Sequence, residues 1–382
     1  MNIDFDNSLI SQEFPLDDDI IYLNHAAVAP WPKRTSDAVK QFAEENIHTG
    51  AKYYPAWLDR ESVLRNQLQW LINATSADDI ALLKNTSEAI SVVACGLDWH
   101  RSENVVSTDE EFPSNRIPWQ AQRKFGVEFR EINILHSIDP ELDLINACDE
   151  KTRVLTISSV QYGSGIRLDL QRLGSFCSAN NILFCVDAIQ SLGVHPLDVQ
   201  AIQADFVMAD GHKWMLGPEG IALFYCKPES RNQLELRQYG WHMIQNAGEY
   251  DVKEWRPADN ARRFECGSQN MLGIHALSAS LSLFEEIGVE PIYRNILNNT
   301  GYLIDKLNNI SGIEILTPVD EKRRAGIVTF KIAGQDIHEL HTNLLNNNII
   351  CACRSGGIRF SPHFYTTREK LDVTLEIIKS SI

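Results

Sequence analysis

The chain has 382 residues, 44% hydrophobic and 23% charged, with a formal net charge of −16 and a pI near 5.1. This is the composition of an ordinary globular protein, long enough for two or three cores. Its acidity leaves no basic face for nucleic acid or an anionic membrane.

The start, MNIDFDNSLISQEF, has neither the basic cluster nor the apolar run of a signal peptide, and no apolar stretch reaches spanning length. The eight cysteines lie in apolar segments without paired CxxC spacing. Cys185 in ILFCVD and Cys226 in IALFYC read as small buried hydrophobes. A reducing cytoplasm is therefore the expected setting. Cys351 and Cys353 in IICACR alternate like one face of a strand.

From about Ile80 to Cys226, short apolar runs alternate with segments of helical period. The runs are DIALL, NVVST, VEFREI, RVLTIS, ILFCVD, DFVMAD and GIALFYC. TSEAISVVACGL, NRIPWQAQRKF and LQRLGSFCSANN are among the helical segments between them. Such alternation predicts an α/β domain with a mostly parallel sheet covered on both faces. After Gly267 two long helical segments lead into IEILTP, IVTFKI, a helix, IICACR, IRFSP and a last helix, the texture of a smaller α+β domain. The expected division is residues 21–272 for the large domain, and 273–382 with 1–20 for the small one.

Ligands of parallel sheets gather at the carboxyl ends of strands, so the residues after each run carry the functional information. Asp187 ends ILFCVD, where a carboxylate is costly to desolvate unless it meets a cation. A protonated pyridine nitrogen about 4 Å away would gain about 4 kcal/mol at an effective dielectric near 20, before desolvation. Gln190, three residues on, is placed to donate to a ring phenolate. DFVMAD runs into GHKWMLGPEG, and Lys213 there is an amine with apolar neighbours. Desolvation lowers the pKa of such an amine and makes it a nucleophile toward an aldehyde.

Asn85-Thr86-Ser87-Glu88 opens a helix directly after a strand, giving both a cap and free donors suited to phosphate. Phe112 in EFPSNRIPW is positioned to stack on an aromatic cofactor. Arg359 in GGIRFSPHFYTT suits a substrate carboxylate, with Arg354 as competitor.

In this order, the helix start, the aromatic strand end, DAIQ and ADGHKW resemble the class V aminotransferase family of fold-type I enzymes dependent on pyridoxal 5'-phosphate (PLP). That family includes cysteine desulfurases, selenocysteine lyases, kynureninase and isopenicillin-epimerase-like proteins. The resemblance extends from YLNHAAVAP through RFECGSQN to IRFSPHFYTT. It implies a large PLP-binding domain and a smaller α+β domain. Lys213 is then the Schiff-base lysine and later general base and acid, Asp187 the partner of the pyridine nitrogen, and Gln190 the contact to the ring oxygen. Thr86, Ser87 and His212 bind phosphate, Ser268 reaches the phosphate of a neighbouring subunit in a homodimer, Arg359 holds the substrate carboxylate, and His25 sits near the substrate.

Three residue patterns depart from the desulfurases. Phe112 and Pro113 stand where a stacking histidine is usual, Asp210 stands where a phosphate-binding hydroxyl is common, and little chain separates IICACR from IRFSP for a sulfur-accepting cysteine loop. The expected activity is that of a transaminase or an α/β-eliminating lyase acting on an amino acid. Cysteine desulfurase or selenocysteine lyase is the alternative, and a non-catalytic PLP-binding protein the alternative of another class.

Overall fold

The computed structural model describes residues 7–251 and 253–381. Strand β1 (Ile21–Tyr22) is short. The apolar runs then form β2 (Ile80–Leu83), β3 (Asn104–Thr108), β4 (Glu128–Ile132), β5 (Thr152–Ser158), β6 (Leu183–Asp187), β7 (Phe206–Asp210) and β8 (Ala222–Cys226). These seven make one sheet in the order β2-β8-β7-β6-β5-β3-β4. Strand β8 runs antiparallel to both β7 and β2, and the other pairings are parallel. Every residue of β3, β6, β7 and β8 is buried, as a sheet covered on both faces requires.

Two apolar cores lie against this sheet, one containing Leu155, Phe184 and Val207, the other Val105, Cys185 and Phe206. Alternate residues of one strand feed opposite cores because the side-chain period of a strand is two. The segment NRIPWQAQRKF makes a short helix, Ile117–Gln120, that tightens into a 3-10 turn at Ala121–Phe125 and stops at Gly126 with φ 84°. Its periodicity resembled one continuous helix, but Gly126 in the left-handed region ends it early.

The second unit is an antiparallel sheet of β9 (Ile313–Ile315), β10 (Val328–Ile332), β12 (Ala352–Arg354) and β13 (Gly357–Phe360), in the order β12-β13-β10-β9. The intervening strand β11 (Ile349–Ile350) pairs in parallel with β1. Ile21 and Leu23 thereby join the core of this smaller unit, beside Leu303, Phe330 and Leu375. The helix Met271–Ile287, in contrast, lies on the helices Lys33–Thr49 and Tyr54–Ile72, and its Leu277, Leu281 and Phe284 belong to the large core. Both stretches cross the 272/273 division read from the sequence texture. Pairing partners more than 300 residues apart leave no local trace.

Candidate active site

The tips of β2, β3, β6 and β7 and the small-unit strand β13 converge on one cavity of about 280 Å³. Thr86, Phe112, Asp187, Gln190, Lys213 and Arg359 all line it. Asp187 and Lys213, 2% and 9% exposed, carry opposite charges, yet among the described residues neither has an ion-pair partner. The Asp187 carboxylate accepts the Ile189 amide at 3.0 Å. Burial raises its pKa, and the buried Glu111 carboxylate nearby adds to the rise. Burial lowers the pKa of Lys213, with Asp187 opposing that shift. Two buried titratable groups of opposite type thus face one cavity without pairing with each other.

Gln190 donates to the Ala26 carbonyl at 3.0 Å and accepts from Trp214 Nε1 at 2.9 Å. These bonds fix its amide plane and leave its second N–H for the cavity. The Lys213 Nζ lies 5.6 Å from the centroid of Phe112, whose ring meets Tyr162 edge-on at 5.1 Å.

At the other end, the helix Thr86–Gly96 begins against the cavity. Asn85 caps it by accepting the Glu88 amide at 2.8 Å, and Glu88 reaches back to the Lys84 amide at 2.7 Å. The backbone N–H groups of Thr86 and Ser87 find no acceptor among the described residues. The Thr86 hydroxyl accepts the Asp210 amide at 3.1 Å, and Ser87 Oγ donates to Ser114 Oγ at 2.7 Å. The Asp210 carboxylate turns to His212, with Nδ1 and Oδ1 3.0 Å apart. That is ion-pair distance, but the two are not aligned as a hydrogen bond, and both atoms stay buried without one. His212 lines the same cavity as Thr86 and Ser87 at the helix start.

Arg359, 1% exposed, donates to the Tyr162 carbonyl at 2.8 Å, and its Nε is buried without a partner. Among the described residues no carboxylate pairs with it. Burial, with Arg354 adding like charge, pushes its pKa down to about 9, which leaves it protonated at neutral pH. Arg354 also lines the cavity but is exposed, with its guanidinium on the Cys353 carbonyl at 2.7 Å. Of the two candidates, Arg359 is the buried guanidinium without an acid partner.

Two of the sequence candidates lie outside this set. His25 is fully buried, with Nδ1 donating to the Ser361 carbonyl at 2.8 Å and Nε2 accepting from Tyr365 Oη at 2.6 Å. Both ring nitrogens are committed, and burial pushes its pKa down to about 4. Its neighbours Ala26 and Ala27 line the cavity in its place. Ser268 is exposed and does not line the cavity of its own chain.

Glu111 escaped the sequence reading. It is fully buried and accepts from the Ser158 amide at 2.6 Å, Ser158 Oγ at 2.5 Å, and Gln161 Nε2 and Asn115 Nδ2 at 2.9 Å. It ties the β5 tip to the loop carrying Phe112. In the sequence it is one acid of the run DEE, and three of these four donors, on Ser158 and Gln161, lie 47–50 residues away.

A mostly parallel sheet with an amine, a carboxylate and a donor-rich helix start around one cavity defines a fold-type I PLP enzyme. The unpaired Lys213 and Asp187 and the open amides of Thr86 and Ser87 fit an anionic aromatic aldehyde. The chain belongs to the aminotransferase class-V family, matched over residues 21–373, and is a PLP-dependent enzyme of that family. A probable cysteine desulfurase of Methanothermobacter thermautotrophicus is 31% identical across 97% of this chain and 96% of its own length. The apo structure of a cysteine desulfurase from Thermococcus onnurineus NA1 superposes with a TM-score of 0.90 at 23% identity, covering 100% of this chain and 99% of that one. C-DES, a cystine C–S lyase solved with its reaction product cysteine persulfide, gives 0.89 at 24% identity over 96% of this chain and 99% of that one. A variant of it carries glycine covalently linked to the PLP cofactor. At these identities the solved structures speak to the fold. Among the described residues no helix is long and apolar enough to cross a membrane.

Proposed function

We propose that this chain is a PLP-dependent lyase that removes sulfur from cysteine or cystine, with Lys213 as both cofactor anchor and proton carrier. The observation that carries the reading is the buried, ion-pair-free set of Lys213, Asp187 and Arg359 around one cavity. When bound, PLP supplies an electron sink for negative charge developing at the Cα of the amino acid. Arg359 holds the substrate carboxylate by paired N–H donors and so fixes which Cα bond faces the cofactor. The Lys213 amine, with its pKa lowered by burial, takes the Cα proton and returns it. With PLP bound, the Asp187 carboxylate would hold a proton on the ring nitrogen, and Thr86, Ser87 and His212 would hold the phosphate. Phe112 covers the ring.

None of the eight cysteines lines the cavity. The turn joining β12 to β13 is closed by the pairing of Arg354 with Gly357. Burial raises the pKa of Cys351 to about 12 and raises that of Cys353, so both stay thiols at neutral pH. The reading therefore gives the sulfur to an acceptor other than Cys351 or Cys353. The kinship with a probable cysteine desulfurase and a cystine C–S lyase supports a sulfur amino acid as substrate. The exposed position of Ser268 supports its reading as a contact to the phosphate of a second copy, in a homodimer with shared sites. Eight free thiols support a cytoplasmic location.

Holoenzyme supplied with cysteine and, separately, with cystine tests this reading. The expected result is sulfide with pyruvate and ammonia, or alanine with persulfide on an added thiol, from cysteine, and cysteine persulfide with pyruvate and ammonia from cystine. Transamination without sulfur release would replace the lyase by a transaminase.

A further inference from the structure

Lys213 sits in a turn that is not relaxed. Three residues on, Leu216 has φ 60° and is fully buried. The left-handed region is costly for a branched side chain and persists where the surroundings over-determine it. The turn is pinned at several points. The His212 carbonyl accepts the Ala29 amide at 2.9 Å, Gly217 N donates to the Gly211 carbonyl at 2.8 Å, and the Leu216 carbonyl accepts from Ser280 Oγ at 2.8 Å. Next to Lys213, the Trp214 carbonyl packs on Gly193, where a Cβ would approach to 2.2 Å.

Among the described residues the Trp214 carbonyl has one donor, His363 Nε2 at 3.3 Å. The Phe364 amide donates to His363 Nδ1 at 2.9 Å, so Nδ1 is an acceptor and the ring proton must be on Nε2. One neutral tautomer satisfies both bonds. His363 is fully buried and lies between Trp214 and Tyr365, at centroid distances of 5.6 and 5.5 Å. It follows Arg359 by four residues on the segment that leaves β13.

We propose that His363 is a positioning residue: its Nε2–H, on the segment that carries the carboxylate-binding Arg359, holds the Trp214 carbonyl and thereby sets where Lys213 presents its amine. One short stretch of the smaller unit then fixes both ends of the reaction, the carboxylate clamp directly and the amine through the Trp214 backbone. The Trp214 indole, bonded to Gln190, carries the same constraint toward the ring. This inference rests on the lyase reading above only in taking Lys213 as the anchoring amine.

The test compares His363→Gln, which keeps a donor of similar reach, with His363→Leu, which has none. His363→Asn is polar but too short, and decides the matter if the leucine variant does not fold. Three quantities are read on each folded protein: the rate at which the apo form fixes PLP onto Lys213, trapped by borohydride; kcat and KM per bound PLP; and Tm. The expected result is a fall of about 10–10²-fold in both the fixation rate and kcat for Leu and Asn, the penalty of a reacting group misplaced by about 1 Å. KM stays within about threefold, and Gln recovers most of the loss. Wild-type fixation and kcat in the leucine variant, with a change confined to Tm, would mean ordinary packing and overturn the proposal. Gln and Asn behaving alike would overturn it too. A wild-type protein that fixes no PLP at Lys213 would instead defeat the functional reading itself.

Discussion

The part-buried Arg65 and the fully buried Arg359 have opposite surroundings. Arg65 donates both terminal nitrogens to Glu265 at 2.7 Å, reaches Glu61 at 2.5 Å and the Ile80 carbonyl at 2.7 Å, and its pKa rises. Arg359 has one carbonyl, an idle Nε and no acid, and its pKa falls. A charge whose partners are all supplied by the chain serves the fold. One left without them serves something that arrives later. The same reasoning disposes of the buried group of Glu61, His242 and Glu265, whose ligand atoms lie within 4.8 Å of one another. Arg65 already supplies the positive charge there.

Mutation separates the residues that hold the fold from those that wait for a ligand. The largest effect is expected at the anchor: Lys213→Ala removes a group of the acid–base type, and turnover should fall by about 10²–10⁴-fold or more, measured as sulfur release. Arg65→Met should cost about 3–5 kcal/mol in urea unfolding, because it leaves the fully buried Glu265 carboxylate uncompensated. Arg359→Met should cost no stability, yet raise KM by the loss of about 1.5–3 kcal/mol of charged hydrogen bonding. A destabilised Arg359→Met with unchanged KM would reverse the assignment of the two arginines.

Smaller effects come from pH. Fixation of an aldehyde needs the neutral amine, so the apo-protein rate should rise with pH and reach half its limit well below the value of about 10.4 for an ordinary lysine. The Asp187 carboxylate raises the Lys213 pKa, so Asp187→Asn should move that midpoint lower still. A Cys351→Ser/Cys353→Ser double variant, smallest of all, should leave sulfur release within about twofold of wild type, because buried structural thiols are inert.

Most of the cavity was legible in the sequence, because a parallel sheet delivers its functional residues at strand ends. Asp187 and Lys213 could be read from ILFCVD and DFVMAD running into DAIQ and GHKW, with no knowledge of the strand order. The supports were not legible. The family resemblance puts His25 near the substrate, and its bonds go to Ser361 and Tyr365, more than 330 residues away. Glu111 and His363 were missed for the same reason: each acts on groups brought near by other segments. The pairing of β1 with β11 belongs to the same class.

In the proposed enzyme Lys213 and Asp187 hold opposite ends of one aromatic aldehyde. Borohydride reduction of the PLP-loaded protein, followed by peptide mapping, tests it most directly. A single reduced adduct on Lys213, lost in Lys213→Ala, is the predicted result. An adduct on another lysine, or none on a protein that has taken up PLP, would contradict it.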